Sequence, residues 1–184
     1  MKKLIISESH FAKYLEDYKG KPSLGYGKDS IVFDYGKDKV IKFAKNRYYR
    51  EAFLESIKFM KKYPKYFVKI FGVTETYVIQ EKADVKKVKT MLEELFEIFK
   101  KSENSDDDSF ASFWEIIEFD EEYSYPDFTK EVKKNVTLFN FLREIQNFIN
   151  EVKYIFAEDN YIDIDITDNN IGYDKNGNLK FVDI

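Results

Sequence analysis

The spacing of hydrophobic residues switches between the strand and the helix period several times along the chain, and the order of these switches limits the possible folds more than any other feature. Apolar and polar residues alternate, as in half-buried strands, over residues 24–33, 39–43, 67–73 and 77–80. Residues 46–62 interrupt these strands with apolar positions three and four apart, which is the spacing of one helix face. Helical spacing dominates from about 85 to 101 and again from about 129 to 156, and Asn176-Gly177 then marks a hairpin over residues 170–182. This order predicts an α+β fold.

The same pattern predicts two lobes. Residues 1–83 would form a lobe with five antiparallel strands and one intervening helix, preceded by a short helix over residues 7–19. Residues 84–184 would form a reduced, mainly helical lobe that includes the final hairpin. The polar and acidic stretch 102–108 is predicted to be a loose linker. A chain of 184 residues can bury the core of such a domain without a metal or a disulfide.

The composition excludes several classes of site. There is no cysteine, and His10 is the only histidine. Disulfide scaffolds, thiol nucleophiles, zinc ribbons, iron–sulfur clusters and histidine-based triads are therefore excluded. The remaining chemistry is that of carboxylates, lysines and the backbone. The sequence has no run of 18 apolar residues. A charged residue follows the first apolar residues too early for the apolar core of a signal peptide. We expect a cytoplasmic protein with no membrane partner.

Charge is divided unevenly along the chain. Residues 1–101 carry 23 basic and 14 acidic side chains, residues 102–129 carry 10 acidic and no basic ones, and residues 130–184 carry 7 and 10. A basic first half followed by an acidic stretch is compatible with a phosphate-rich ligand on one side and a basic protein partner on the other. A solvated acidic surface explains the same stretch, and both interpretations stay open.

Two short patterns in the strand region can carry chemistry. Gly25-Tyr26-Gly27-Lys28-Asp29-Ser30 lies between strands, where paired glycines permit close approach of the backbone to phosphate. A tight turn explains it equally well, and the following strand excludes the Rossmann and Walker A motifs, which require a helix there. Lys42 stands among apolar residues and must find an anion or reach water. Glu51 or Glu55 of the next helix could supply that anion, although an ordinary edge-strand lysine is the alternative.

A third pattern lies near the end of the chain. Asp165-Ile166-Thr167-Asp168-Asn169-Asn170 is followed by a hairpin that reads Asn176-Gly177-Asn178-Leu179-Lys180-Phe181-Val182-Asp183. A glycine loop, strand lysine, helix glutamate, Asp-x-x-x-x-Asn and hairpin aspartate occur here in the order that resembles the protein-kinase-like superfamily. The chain resembles a minimal form of that family, which stops at the aspartate of the Asp-Phe-Gly position. The resemblance covers residues 24–84 and 145–184.

The resemblance implies a two-lobed kinase-like fold that uses ATP and Mg²⁺. Lys42 would hold the α- and β-phosphates and pair with Glu55 in preference to Glu51. Asp165 would act as the catalytic base, together with Lys42 as a catalytic residue. Asn170 and Asp183 would hold magnesium.

The remaining nucleotide contacts also follow from the resemblance. Gly25, Gly27 and Ser30 would surround the phosphates. Residues 80–83 would form a hinge, in which Glu81 and Ala83 contact the adenine through the backbone. Ile79 would stand beside the base at the gatekeeper position.

The chain departs from the family pattern at several positions. Asp163-Ile164 replaces the usual His-Arg, and Thr167 replaces a lysine that kinases for small molecules also lack. No activation segment or later helices follow Asp183, so we expect an acceptor to dock on residues 85–162, beside the glycine loop, or on a partner chain. The resemblance implies transfer of phosphate to Ser/Thr hydroxyls of a protein. The alternatives are an inactive protein-binding or inhibitory module, and a small-molecule kinase of the aminoglycoside or choline type.

Two other classes of site fit the sequence less well. Asp163, Asp165 and Thr167 alternate as in an EF-hand loop, but Asp168 stands where that loop requires glycine. The mixture of lysines and aromatic residues over 61–67 fits the end of a helix better than a site for single-stranded nucleic acid. We therefore expect a protein substrate or a protein partner, and no nucleic acid.

Overall fold

The computed structural model describes residues 17–18, 20–26, 30–44, 50–74, 76–103, 110–119, 125–158, 167 and 169–183. These residues form two compact units. The first unit takes in the described residues up to Ala83 and those from Tyr173 onward, and the second takes in those from Asp84 to Gly172. Most of the final hairpin, which the sequence predicts as part of the second lobe, thus belongs to the first unit.

A five-stranded antiparallel sheet lies at the centre of the first unit. Its strands are β1 (Gly25–Tyr26), β2 (Ser30–Asp34), β3 (Lys39–Ala44), β4 (Ile70–Val73) and β5 (Tyr77–Glu81). Their spatial order is β1-β2-β3-β5-β4, and the connection from β3 to β4 includes the helix α1 (Arg50–Lys62). The predicted α+β class is confirmed. That this sheet is the N-terminal lobe of a kinase-like fold stays a prediction.

Side chains alternate between the two faces of this sheet because successive strand residues point in opposite directions. One face carries the buried residues Phe33, Ile41 and Phe43. Tyr18 closes this cluster, and its ring centroid lies 5.1 Å from that of Phe33. Only Asp17 and Tyr18, with Gly20 beyond them, represent the region of the first predicted helix in the described residues.

The opposite face contains Lys42. Gly25 pairs with Val32, Val32 with Lys42, and Lys42 with Val78, so these four residues form one row across β1, β2, β3 and β5. Helix α1 reaches this row through Phe53, whose ring centroid lies 5.9 Å from the Lys42 Nζ atom.

Helix α1 forms because its apolar residues recur on one side. Phe53, Ile57 and Met60 are buried and stand three or four positions apart. An acidic residue in the first turn and two lysines in the last turn complement the helix dipole. Pro64 follows closely, and a proline disfavours helical backbone at the residue before it. Residues 46–49, also predicted to be helical, lie outside the described residues.

A short hairpin ends the described part of the chain. It consists of β6 (Ile171–Tyr173) and β7 (Leu179–Phe181), joined by a turn in which Gly177 has a φ of 83°. That left-handed backbone is strained for residues with a β-carbon, which explains the Asn-Gly signal in the sequence. The hairpin was predicted at this place.

Backbone hydrogen bonds attach β7 to the segment after α1. The Phe181 N–H donates to the Tyr66 carbonyl at 2.8 Å, and the Val68 N–H donates to the Phe181 carbonyl at 3.1 Å. Lys180 adds a hydrogen bond from its Nζ atom to the Pro64 carbonyl at 3.0 Å. These bonds are the physical reason why the end of the chain belongs to the first unit.

The second unit consists mainly of helices. They are α2 (Val85–Ser102), α3 (Phe110–Phe119), α4 (Pro126–Val132) and α5 (Val136–Glu158). Their core is made of fully or almost fully buried apolar side chains, among them Leu95, Phe99, Phe113, Ile116, Phe128, Leu142 and Ile145. None of the helices in the described ranges is long and apolar enough to cross a membrane.

The helix predicted from about residue 129 to residue 156 is two helices in the structure. The break lies at residues 133–135, between α4 and α5. The Asn135 Oδ1 atom accepts the Leu138 N–H at 3.2 Å and so caps the start of α5. An asparagine followed by an apolar run is a known start signal, but the helical spacing on both sides concealed it. The predicted linker lies mostly outside the described residues, and α2 extends to Ser102.

Candidate functional site

Lys42 lies at the centre of the candidate site. It belongs to β3, and only 6% of the residue is exposed. Its Nζ atom forms an ion pair with the Oδ1 atom of Asp183. A buried ammonium without a counter-charge is costly, because burial removes its hydration. The carboxylate of Asp183 supplies that charge from the far end of the chain.

Asp183 is less buried than its partner. Its side chain is 38% exposed, whereas that of Lys42 is 7% exposed. The pairing of β7 with residues 66–68 brings the chain to this point, and the Gln80 Nε2 atom donates to the Val182 carbonyl at 3.0 Å. A buried cation and a solvent-accessible carboxylate therefore lie side by side.

Glu55 is not the partner of Lys42 in this structure. It is exposed on α1, as is the alternative candidate Glu51. A residue two positions from Phe53 and two from Ile57 points away from the helix face that those residues bury, since the helix turns about 100° per residue. The predicted pairing of Lys42 with Glu55 is therefore not formed, and Asp183 takes that place.

Two predicted phosphate contacts lie on the same face of the sheet as Lys42. Gly25 belongs to the Lys42 row, and Ser30, on β2, is 6% exposed. A β-carbon added at Gly25 would lie 4.0 Å from Val32 side-chain atoms, an ordinary contact, so neither space nor φ requires glycine there. Gly27, the second predicted glycine, lies outside the described residues.

The predicted hinge, residues 80–83, begins within the last two residues of β5 and continues beyond it. The Glu81 N–H donates to the Lys69 carbonyl at 2.8 Å, and the Lys82 N–H donates to the Asp38 carbonyl at 3.0 Å. Ala83 donates no backbone hydrogen bond to another residue in the described part of the chain. That Ala83 and Glu81 contact adenine stays a prediction.

The register of the sheet determines which side chains of β5 lie on the same face as Lys42, and they differ from the one that was predicted. Because Lys42 pairs with Val78, the residues on its face of β5 are Val78 and Gln80. Ile79 packs against the apolar cluster on the opposite face. The predicted gatekeeper position for Ile79 is therefore wrong by one residue, which in a strand reverses the face.

The other predicted catalytic and metal residues are Asn170 and Asp165. Asn170 belongs to the second unit, where its N–H donates to the Thr167 carbonyl at 3.0 Å in the turn before β6. Asp165 lies outside the described residues. Within the described ranges, no group of three or more acidic or histidine side chains is arranged to hold a metal ion.

Magnesium nevertheless fits the residues that are present. Mg²⁺ is usually bound through one or two carboxylates together with substrate phosphates and water, and it does not require a complete protein cage. Asp183 offers a partly exposed carboxylate oxygen ligand, and the adjacent Lys42 offers a cation for phosphate oxygens. If magnesium and a polyphosphate bind here, Asp183 would hold the metal and Lys42 would hold phosphate oxygens.

The side chain of Gln80 was not predicted to belong to the site. This residue is 3% exposed, and its amide contacts the main chain next to Asp183. The signal was present, because Gln80 is a polar residue at a buried position of an apolar strand, as Lys42 is.

No protein-family model matches the sequence, and no curated protein matches it. Among solved structures, the chain is similar to the streptomycin–ATP–APH(2")-IIa ternary complex, an aminoglycoside phosphotransferase. The identity is 13%, the match covers 98% of this chain and 71% of that chain, and the TM-score is 0.39. A TM-score this low does not establish a shared fold, so the function proposed for this chain depends on its own residues.

Proposed function

We propose that the protein is an ATP- and magnesium-dependent phosphotransferase of the protein-kinase-like superfamily. The observation that carries this proposal is the ion pair between Lys42 and Asp183. The motif resemblance assigns both residues to the same phosphate groups, one directly and one through magnesium. Residues with these roles must lie close together, and these two do.

Each side chain has a distinct part in the proposed reaction. Lys42 binds phosphate oxygens with its ammonium group, and Asp183 accepts the metal. Magnesium, when bound, neutralises charge on the phosphates during transfer. Asp165 orients the acceptor hydroxyl and takes its proton. Ala83 donates its N–H to the adenine, which fixes the nucleotide beside Lys42.

The proposal allows more than one kind of phosphate acceptor. We propose a Ser/Thr hydroxyl of a protein, and a hydroxyl of a small molecule fits equally well. A module that binds a nucleotide or a partner without transfer is the third outcome. A transfer assay that offers both protein and aminoglycoside acceptors distinguishes the three.

Nucleotide binding tests the site itself. We expect Lys42→Met to raise the dissociation constant of ATP with magnesium by at least about tenfold, the effect of one lost charge-assisted hydrogen bond. Lys58→Met is the matched control, because Lys58 is an exposed lysine on α1. Equal affinities in the wild type and Lys42→Met would move the nucleotide site elsewhere.

Turnover tests the transfer step. If Asp165 is the base, Asp165→Asn should lower turnover by about 100-fold or more while the nucleotide affinity stays within a factor of two or so. Nucleotide binding with no transfer in the wild type, to any acceptor offered, would favour the binding module.

A further inference from the structure

We propose that the Gln80 side chain is a positioning residue for Asp183. By holding the main chain one residue before Asp183, it keeps that carboxylate beside Lys42. The effect that we expect on the binding of magnesium and nucleotide rests on the proposed function. The effect that we expect on the ion pair does not.

The hydrogen bonds of the final strand show where such a contact is needed. Backbone bonds to residues 66 and 68 fix the chain at Phe181, which is the last residue of β7. The carboxylate that meets Lys42 lies two residues further on. Between these two points, the Val182 carbonyl accepts a hydrogen bond from the Gln80 Nε2 atom at 3.0 Å. A side chain from β5 therefore fixes the peptide that leads directly into Asp183.

Gln80 is itself held firmly. It pairs with Val40 on β3 and with Ile70 on β4, so both neighbouring strands define its place. It points to the same face of the sheet as Lys42, because it lies two residues from Val78, the partner of Lys42. The donor that holds Val182 thus belongs to the same rigid sheet as the cation that holds Asp183.

The oxygen of the Gln80 side-chain amide indicates that the N–H donor of the same amide has a role. The Gln80 Oε1 atom is buried and has no hydrogen-bond partner in the described part of the chain. An unpaired buried acceptor is unfavourable, and methionine would fill a similar volume without that penalty. The property that glutamine adds at this position is its N–H donor to Val182.

Loss of this donor should loosen the ion pair. Without it, the peptide after Phe181 gains conformations in which Asp183 is away from Lys42. The Lys42 amine then becomes more accessible to a reagent. Its rate of acetylation by N-acetoxysuccinimide, measured by mass spectrometry relative to the exposed Lys58, reports on the pair without any nucleotide.

The second unit offers a matched control. Gln146 is 1% exposed, its Nε2 atom donates to the Ile116 carbonyl at 3.0 Å, and its Oε1 atom is also unpaired among the described residues. Gln146→Met therefore removes the same kind of hydrogen bond at the same degree of burial. It should affect stability but not Asp183.

The experiment compares Gln80→Met with Gln146→Met, each labelled at the same interval below its melting temperature. We expect the Lys42 labelling ratio to rise by about three- to tenfold in Gln80→Met, the equivalent of one net hydrogen bond, and to keep its wild-type value in Gln146→Met. Gln80→Asn, which is one methylene too short to reach Val182, should behave like Gln80→Met and serves if that variant does not fold. A wild-type ratio in the Gln80 variants, or an equal rise in Gln146→Met, would overturn the proposal.

A second measurement separates this inference from the proposed function. Gln80→Met should raise the dissociation constant of ATP with magnesium by the same factor and leave that of ATP in EDTA unchanged, because Asp183 acts through the metal. If wild-type protein does not bind ATP with magnesium, the proposed function fails, and the labelling ratio still decides the role of Gln80.

Discussion

At the scale of single residues, the central feature is a buried cation with one partly exposed counter-ion. Lys42 has lost its hydration, and Asp183 compensates for that loss from a position that water still reaches. The two residues are therefore not equivalent. Removing the carboxylate leaves a buried charge, whereas removing the ammonium leaves a carboxylate that can be hydrated.

This asymmetry gives a stability prediction for the protein without ligand. Asp183→Asn should lower the free energy of unfolding by about 1–3 kcal/mol, less than for a fully buried pair because Asp183 is partly exposed. Lys42→Met should lower it by less, about 1 kcal/mol or under, because methionine keeps the apolar stem. Urea unfolding measures both values, and the reverse order of the two losses would contradict the asymmetry.

Lys42 and Asp183 were both predicted from the sequence as site residues. The predicted ion-pair partner of Lys42 was Glu55, whereas in the structure it is Asp183. The apolar stripe of Phe53, Ile57 and Met60 already placed Glu55 on the outer side of the helix. The spacing of the kinase motif favoured Glu55 nevertheless. The rotation of a helix about its axis follows from which residues it buries, and a motif does not specify it.

Glu55→Gln tests that correction. Because Glu55 is exposed and lies on the outer side of α1, the substitution should change the unfolding free energy by no more than about 0.5 kcal/mol. It should also leave the affinity for ATP with magnesium unchanged. Loss of affinity equal to that of Lys42→Met would mean that Glu55 reaches Lys42 when the nucleotide is bound.

Among the secondary-structure elements, the final hairpin matters most for the site, because the pairing of β7 with residues 66–68 brings Asp183 to Lys42. Its turn is organised by Asp174, whose Oδ1 atom accepts the N–H groups of Asn176 at 2.8 Å and Asn178 at 2.9 Å. Burial alone raises the pKa of this carboxyl, but the backbone and side-chain hydrogen bonds from Asn178 and the one from Asn176 outweigh it, so the pKa lies below its ordinary value. The charged form of Asp174 thus stabilises the hairpin.

The pH dependence follows from the sign of that shift. A carboxyl with a depressed pKa contributes full stability above its unfolded-state value, about 3.9, and loses it as the pH falls through the lower folded-state value. Asp174→Asn should cost about 1 kcal/mol at pH 7, and the difference from wild type should shrink below about pH 4. The control is Asp38→Asn, on the exposed turn between β2 and β3. A difference that stays constant down to pH 2.5 or so would contradict this account.

Sequence patterns were sufficient to predict some of the secondary-structure elements but not all of their boundaries. Strand alternation and the Asn-Gly turn predicted the sheet strands and the hairpin closely, because period and turn chemistry are local properties. The break between α4 and α5 was missed, because Val132 and Val136 stand four positions apart and continue the apolar spacing across it. Side-chain capping by Asn135 decides that boundary, and spacing alone does not detect a cap.

At the scale of the whole molecule, the chain forms one unit around a sheet and one unit of helices. The sequence predicted two such parts, but it assigned the end of the chain to the second. Hydrogen bonds between residues 66–68 and Phe181 decide that assignment, and such long-range pairing leaves no local signal in the sequence. We propose that the sheet unit is a nucleotide-binding lobe.

The melting temperature with and without ATP and magnesium tests nucleotide binding by this unit. A ligand at 100 times its dissociation constant stabilises the folded state by about 2.7 kcal/mol, which corresponds to a rise of roughly 5–10 °C for a chain of this size. We predict such a rise for the wild type with magnesium, and a much smaller one without magnesium or in Asp183→Asn. No rise in the wild type at millimolar ATP and magnesium would exclude the proposed nucleotide site, and the same rise in Asp183→Asn would exclude Asp183 as the magnesium ligand.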